Sequence, residues 1–469
     1  MHRVVIVGAG FGGLAAARSL ADKSIHVTLV DQRNYQTFQP LLYEVATAGL
    51  DSADVAYPVR AAVGRASNIH FRLGTVTGVD WDERTVCFAG VGVKHDATSH
   101  GCADDIPFDF LIVATGSVVN FFGVPGAAEH AHPLYTLEDA RRLRDHILLR
   151  LEEADGESAH SSDGTLNFVV VGGGPTGVEV SGAIAELLDM SISRDGFQFD
   201  RSAARVVLID GLDHVLTSFK RSAQRYAKRT LEDRTIEVEL GKMVTKVGPT
   251  EVEFADGSVI PTRTVIWAGG VTASGTVATE VGSDTSRGGR LVVDSNLAVP
   301  LHDGAFAIGD AASIPVAPGS EELCPQLAPV AIQSGHHAAN EILARTLGRP
   351  TKPFRYRDKG TMATIGRRAA IAQLRGGLVL RGTIGWAAWF GLHLVYLMGF
   401  RNKLTVFVNW TWRYLNWTSG PRIIAGDHRY SPDEPSPAQA HRALTGDGIP
   451  PNGRRLPIAP DRATSGART

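Results

Sequence analysis

Val4-Val5-Ile6-Val7-Gly8-Ala9-Gly10-Phe11-Gly12-Gly13 is an apolar run bounded by glycines, and it opens directly into Leu14-Ala15-Ala16-Ala17-Arg18-Ser19-Leu20. The pattern predicts a buried parallel strand, a tight turn and a helix whose N-terminus faces a pyrophosphate. Gly8 makes the turn, Gly10 lets the backbone approach the phosphate, and Gly13 packs helix against strand. Unpaired N–H groups and the helix dipole supply the anion site. A second strand, His26-Val27-Thr28-Leu29-Val30, ends at Asp31, about 20 residues on, where an acid holds a ribose hydroxyl. A lone GxGxxG is a weak signal. Strand before, helix after and an acid at the right distance make this one a dinucleotide-binding unit.

The pattern returns. Phe168-Val169-Val170-Val171-Gly172-Gly173-Gly174-Pro175-Thr176-Gly177-Val178-Glu179 is again strand, GxGxxG and helix, with glycines at 172, 174 and 177. Arg205-Val206-Val207-Leu208-Ile209 ends at Asp210. Two such units in one chain point to two nucleotides. Asp210 argues for NADH over NADPH, because an acid binds a 2′-hydroxyl and repels a 2′-phosphate. No arginine follows it until Arg221. The plain alternative is a surface aspartate ending a strand.

Between and beyond the units, other segments fall into place. Residues 35–49 are too apolar for an exposed loop and are expected to line a cofactor cavity, with simple packing as the alternative. Residues 68–110 alternate strands and turns (Ile69–Leu73, Val76–Val79, Thr85–Phe88), as a small β-insertion would. Phe108 to Gly116 reads as a buried strand ending in Ala114-Thr115-Gly116, small enough to pass beneath a bound nucleotide. Helical spacing covers residues 137–151, and residues 152–164 read as a polar loop. Val238 to Ile260 reads as hairpin strands turning at Asp256-Gly257. Thr264 to Gly270 echoes the Ala-Thr-Gly element and includes Gly269. Ala305-Phe306-Ala307-Ile308-Gly309-Asp310 is a strand ending in Gly-Asp; in a two-dinucleotide protein such an aspartate typically bonds the ribityl chain of a flavin. A helix is expected from Gly335 to Leu347.

Composition sets the bounds. The 469 residues suit two or three domains, and 43% hydrophobic with 20% charged residues describes an ordinary globular protein. A net charge of −2 argues against nucleic-acid binding. The 51 glycines exceed the average share of about 7%. Three scattered cysteines, Cys87, Cys102 and Cys324, exclude a disulfide scaffold and the common zinc spacings and fit a reducing compartment. No metal site is expected. The first strand starts within three residues of Met1, so no signal peptide is expected ahead of it.

The C-terminal region differs from the rest. From Lys359 to Gly426 there is no Asp or Glu but nine Lys or Arg, and five of the seven tryptophans fall between Trp386 and Trp417. Thr383 to Phe400 is 18 residues without charge. As one helix it would rise roughly 27 Å, at the low end for crossing a bilayer. Gly385, Gly391, Gly399 and His393, aromatics running along the stretch, and a second apolar-basic segment from Leu404 to Trp417 favour residues 376–425 lying on an anionic lipid surface. A true span and a buried core or dimer helix are the alternatives. Residues 427–469 are proline-rich and poor in aliphatics, as a disordered tail is.

Over roughly residues 2–425 the chain resembles the type II NADH:quinone oxidoreductases, single-subunit NADH dehydrogenases that do not pump protons. The resemblance rests on the two GxGxxG units, Gln39-Pro40-Leu41-Leu42-Tyr43-Glu44-Val45-Ala46-Thr47, Gly174 to Glu179, Gly309-Asp310, Met362-Ala363-Thr364-Ile365-Gly366, Gly399-Phe400-Arg401-Asn402-Lys403 and Trp410-Thr411-Trp412. It implies an α/β fold of two Rossmann-like, glutathione-reductase-like domains: FAD on 1–125 with 295–350, NADH on 160–290, then a membrane-anchoring and dimerisation segment at 351–426. FAD would be held by Gly8, Gly10, Gly13, Asp31, Thr47, Ala114, Thr115, Gly116, Gly309 and Asp310. NADH would be held by Gly172, Gly174, Gly177, Glu179, Asp210 and Gly269. A homodimer on the cytoplasmic membrane face is implied. Glu179 matches the family glutamate beside the nicotinamide pocket; its alternative reading is a helix-start acid favoured by the dipole. Ala328 to Gln333 matches the region where quinone approaches. Many members read Ala-Gln-x-Ala-x-Gln there, whereas this chain has Pro329 in place of the first glutamine, leaving Gln333 with Gln326 nearby.

The implied chemistry is hydride transfer from NADH to the flavin, then two electrons to a membrane quinone, with Glu179 and Gln333 as candidate catalytic residues. Three rivals share parts of the pattern. A sulfide:quinone oxidoreductase needs redox cysteines beside the flavin, and only Cys324 lies in the right stretch. A ferredoxin or rubredoxin reductase does not need the acid-free aromatic C-terminus. A flavoprotein NADH sensor draws support from Pro329.

Overall fold

The computed structural model describes residues 1–91, 104–155, 164–274, 284–286, 288–416 and 422–424. The expected tail at 427–469 and Cys102 lie outside them. β1 (His2–Val7), α1 (Phe11–Ser19) and β2 (Ile25–Asp31) form the opening strand–helix–strand unit. β1 pairs in parallel with β2 on one side (Val4 opposite Val27) and on the other with the strand before Ala-Thr-Gly, Phe110–Val113 (Val4 opposite Phe110). Strand order thus reverses beside β1, and the crevice at the carboxyl ends of these strands is where α/β sheets bind ligands.

Short elements follow β2: β3 (Tyr35–Thr37), α2 (Leu42–Ala46), α3 (Ser52–Val55) and β4 (Ala56–Pro58). β3 and β4 pair as an antiparallel ribbon, with Gln36 opposite Tyr57 and Thr37 opposite Ala56. The sheet is completed by β5 (Ile69–Asp80), β6 (Thr85–Gly90), β7 (Asp104–Pro107), β8 (Phe110–Val113) and a late strand, Ala305–Ala307, in the order Ala305–Ala307, β8, β1, β2, β5, β6, β7. The expected β-insertion is therefore continuous with this sheet. The two predicted strands Ile69–Leu73 and Val76–Val79 are one: β5 pairs with β2 through Leu73 and then with β6 from Gly74. Gly74 permits the crossing, because a Cβ there would lie 2.2 Å from the Ala89 carbonyl oxygen. Cys87, on β6, is disulfide-bonded, which departs from the reduced thiols expected.

The second sheet repeats the plan. β9 (Ala131–Pro133), α4 (Leu137–Asp155), β10 (Asn167–Val171), α5 (Pro175–Met190), β11 (Arg205–Asp210) and β12 (Ile236–Leu240) precede an antiparallel meander, β13 (Val244–Val247), β14 (Glu251–Phe254) and β15 (Val259–Pro261). β16 (Thr264–Trp267) returns to the sheet, whose order is β9-β16-β10-β11-β12, all parallel. The predicted hairpin thus loses its first strand, since β12 pairs with β11. The Asp256-Gly257 turn joins β14 to β15, with Gly257 at φ +80°. Residues 152–155, expected in a loop, extend α4 instead.

With the late strand as β17 (Ala305–Ala307), the helix expected from Gly335 begins seven residues earlier, as α6 (Ala328–Thr346). Pro329 occupies its first turn, where no N–H is needed for the helix. A small sheet follows, β18 (Gly360–Gly366), β19 (Ala369–Leu374) and β20 (Val379–Arg381), with α7 (Gly382–Tyr396) lying on it. Gly385 sets that approach: a Cβ there would be 2.6 Å from the Ala370 carbonyl oxygen. Gly399, at φ +80°, turns the chain into α8 (Phe400–Asn416).

The uncharged 18-residue stretch is therefore no single helix. Fifteen residues of α7 span about 22 Å, and no described helix is long and apolar enough to cross a membrane. The aromatic content also divides. Trp389 and Trp410 are fully buried with centroids 5.4 Å apart, so they belong to the core rather than to a headgroup layer. Outward face Ile384, Val395, Phe400 and Trp412, each more than 60% exposed.

Candidate active site

The two glycine turns share their backbone geometry. Gly8 lies at φ +107° and Gly172 at +113°, values that favour glycine. A Cβ on Gly8 would meet the Ala114 carbonyl oxygen at 2.2 Å, and one on Gly172 the Ala268 carbonyl oxygen at 2.4 Å. Gly13 and Gly177 pack so closely that a Cβ on either would lie 1.8 Å from the carbonyl oxygen of the turn glycine. Gly10 and Gly174, the N-caps of α1 and α5, have open space where a Cβ would point and offer no side-chain acceptor to their helices. The first-turn N–H groups are thus left for an external anion.

The strand-end acids repeat this likeness. Asp31 accepts from the Ala9 N–H (2.6 Å) and the Arg33 N–H (2.7 Å); Asp210 accepts from the Gly173 N–H (2.5 Å) and the Leu212 N–H (2.7 Å). Each carboxylate ties the glycine turn to the end of the neighbouring strand and keeps further lone pairs for a ribose. Burial pushes the Asp31 carboxyl above the ordinary carboxylate range, although both N–H bonds oppose it.

Around the first turn the crevice opens into a cavity that is continuous with solvent. Gly8, Gly10, Asp31, Ala114, Thr115, Gly116, Gly309 and Asp310 line it, as do Tyr35, Gln36, Thr37 and Gln39 from the apolar segment. Gly13 and Thr47 do not: Gly13 sits behind the turn, and Thr47 Oγ1 donates 2.9 Å to the Tyr43 carbonyl oxygen at the end of α2. Residues 41–50 instead bury themselves in the core. Sequence reading missed Ser117 and Tyr135. Ser117 Oγ donates to Asp310 Oδ2 (2.8 Å) and pairs with Tyr135 Oη (2.6 Å), closing a polar strap across the cavity. Its signal was its place directly after Ala-Thr-Gly. Burial raises both the Asp310 carboxyl and the Tyr135 phenol.

The cavity fits FAD on two features. The Gly10 edge is open where a pyrophosphate would approach, and Thr115 Oγ1 is buried in the wall with no partner among the described residues. Ala328 and Ala331, at the start of α6, also line it. The quinone candidates sit close by but are engaged. Gln333 Nε2 donates to the Arg357 carbonyl oxygen (3.1 Å) while its Oε1 accepts from the Arg357 N–H (3.0 Å). Gln326 Nε2 donates 3.3 Å to the Asp310 carbonyl oxygen.

In the second unit, Gly172, Gly174, Gly177 and Asp210 form the turn and latch just described, and Gly269 follows β16 with a Cβ position 3.4 Å from the Trp267 indole. Glu179 lies beyond the first turn of α5, so the helix-dipole explanation fails. It is buried, and its Oε1 accepts from the Thr364 N–H of β18 at 3.2 Å. Burial is the main cause that pushes its carboxyl up to about 8, and Glu44 raises it further; the Thr364 N–H and Trp389 act the other way. Cys324 is buried and its thiol is pushed up to about 11 by burial, unlike a redox-active thiolate. No described group of His, Cys, Asp and Glu could hold a metal ion.

Two dinucleotide cradles and a lined cavity at the first define a two-nucleotide oxidoreductase. The profile of the pyridine nucleotide-disulphide oxidoreductases matches residues 2–335. At the next level the chain belongs to the type II NADH:quinone oxidoreductase family of NADH dehydrogenases. It is 35% identical over 441 residues to the type II NADH:quinone oxidoreductase Ndh of Mycobacterium tuberculosis, with 92% of each chain covered. It is 37% identical over 443 residues to NdhA of the same organism, covering 92% of this chain and 91% of that one. In fold it is similar to the structure of NDH2 from Plasmodium falciparum in complex with NADH, at TM-score 0.79 and 19% identity over 90% of this chain and 99% of that one. It is similar too to the sulfide:quinone oxidoreductase of Aquifex aeolicus, at TM-score 0.64 and 18% identity over 91% of this chain and 93% of that one.

Proposed function

We propose that the chain holds FAD on residues 1–125 and 295–350, takes hydride from NADH bound on residues 160–290, and passes two electrons to a membrane quinone without pumping protons. The observation that carries this reading is the repeated cradle, with one glycine turn and acid latch per nucleotide. When bound, FAD supplies a hydride acceptor that can release electrons to a quinone. The chain's own residues bind and orient. Gly8, Gly10 and the start of α1 receive one pyrophosphate, and Gly172, Gly174 and the start of α5 receive the other. Asp31 and Asp210 accept ribose hydroxyls, and Asp210 disfavours a 2′-phosphate. Asp310, with Ser117, presents an acceptor to the ribityl chain. Glu179, protonated near neutral pH, holds a proton in the core beside β18. Quinone is expected to arrive between the start of α6 and the C-terminal hairpin of α7 and α8.

The exposed apolar residues of that hairpin, with Arg381, Arg401 and Lys403 beside them, support docking of 376–425 on an anionic lipid surface. The family resemblance supports a homodimer on the cytoplasmic face. The test is anaerobic: NADH is mixed with purified protein, flavin absorbance is followed, and a quinone analogue is added. Bleaching by NADH but not NADPH, then rapid reoxidation, is the expected result. Absence of bound flavin, or a reduced flavin that no quinone reoxidises, overturns the reading.

A further inference from the structure

The turn between α7 and α8 brings Asn402, in the first turn of α8, against α3 and β4, the strand paired with cavity-lining β3. Its Nδ2 lies within hydrogen-bonding distance of three backbone carbonyl oxygens, those of Ala53 (3.3 Å), Asp54 (3.4 Å) and Ala56 (3.0 Å). Two of these are orphan acceptors at the end of α3, and the third is on β4. Beside it, Gly399 sits so close to Tyr57 that a Cβ would fall 2.3 Å from the ring. Ala56 and Tyr57 are the register partners of Thr37 and Gln36, which line the cavity. Next along the chain, Phe38 meets His393 of α7 edge-on at 6.1 Å. The hairpin with the exposed apolar face is thus joined to the flavin wall through one two-stranded ribbon.

Resting on the function proposed above, we infer that Asn402 is a positioning residue for the quinone half-reaction. Its amide clamps the C-terminal hairpin to the β3–β4 ribbon. The clamp fixes the position of the hairpin, from whose side quinone is proposed to arrive, relative to the ribbon that lines the cavity, and it does so without touching quinone or nucleotide. The glycine turns and both acid latches lie on other elements, so loss of the clamp should fall mainly on the quinone half-reaction.

The test uses the full chain on vesicles of phosphatidylethanolamine and phosphatidylglycerol with a short-chain ubiquinone analogue. Asn402→Asp keeps size and shape but faces three carbonyl oxygens with acceptors; Asn402→Ala removes the group; Asn402→Gln restores the donors on a longer arm. For Asp and Ala, flavin bleaching by NADH should stay within about twofold of the parent while KM for quinone rises about tenfold, the size of one or two ordinary hydrogen bonds. Gln should recover part of that loss, and all variants should still sediment with vesicles. Equal loss of both half-reactions alongside a lowered Tm, or an unchanged quinone KM, overturns the inference. Failure of the parent protein to reduce quinone overturns the functional reading beneath it, and that control is read before any variant.

Discussion

The two dinucleotide units share a backbone yet differ in what surrounds it. Both have a glycine turn at strongly positive φ, a helix-packing glycine with no room for a methyl group, and an acid accepting two N–H bonds. Around the first, a strap of Ser117, Tyr135 and Asp310, the β3–β4 ribbon and the start of α6 build a deep cavity. Around the second, exposed Leu212 and Met243 flank the acid. The difference suits a resident cofactor at the first and a substrate that comes and goes at the second.

The sharpest way to break this comparison is to insert the same methyl group at the helix-packing glycine of both units. Gly13→Ala should yield protein without flavin absorbance. Gly177→Ala should stay yellow but raise KM for NADH about 100-fold, near 2.7 kcal/mol and within the usual overpacking cost. Loss of flavin from both variants would show that the units are not independent. Next in size, Asp210→Asn removes the charge that disfavours a 2′-phosphate, so the ratio of NADH to NADPH kcat/KM should fall by at least about tenfold. An unchanged ratio would assign Asp210 to the latch alone.

A third prediction concerns Glu179, which joins the second unit to β18. Its folded-state value of about 8 lies above the ordinary 4.5, so between those values the folded chain keeps a proton that the unfolded chain has released. Stability should therefore fall as pH rises from about 5 to 8. Glu179→Gln should flatten that slope, with Tm a few degrees above the parent at pH 8. The smallest effect belongs to the strap. Ser117→Ala should weaken flavin retention about fivefold, or ~1 kcal/mol, with little change in KM for NADH.

Much of the site was legible because it is local. GxGxxG, the strand before it and the acid after it form one continuous segment, and only glycine adopts the conformation that the turn demands. The Gly-Asp at 309–310 was readable for the same reason. Other expected site residues are engaged within the chain, one by a distant segment and one by its own helix. Gln333 looked available for quinone, but Arg357 occupies both ends of its amide. Thr47 belonged to a well-marked motif, yet its hydroxyl closes the end of α2. In the C-terminal stretch, composition could not separate Trp389 and Trp410, which fill the core, from Trp412, which faces out.

By itself, then, the sequence determined two glycine-turn units, the acids that end their second strands and an acid-free apolar stretch at 359–426, because turn chemistry and strand or helix period are properties of neighbouring residues. Only the tertiary structure decided which residues line the cavity at the first unit, that Glu179 is buried with its carboxyl raised, and that Asn402 ties α8 to α3 and β4. Desolvation and hydrogen-bond partnership depend on which remote backbone arrives beside a side chain, and that is settled by packing.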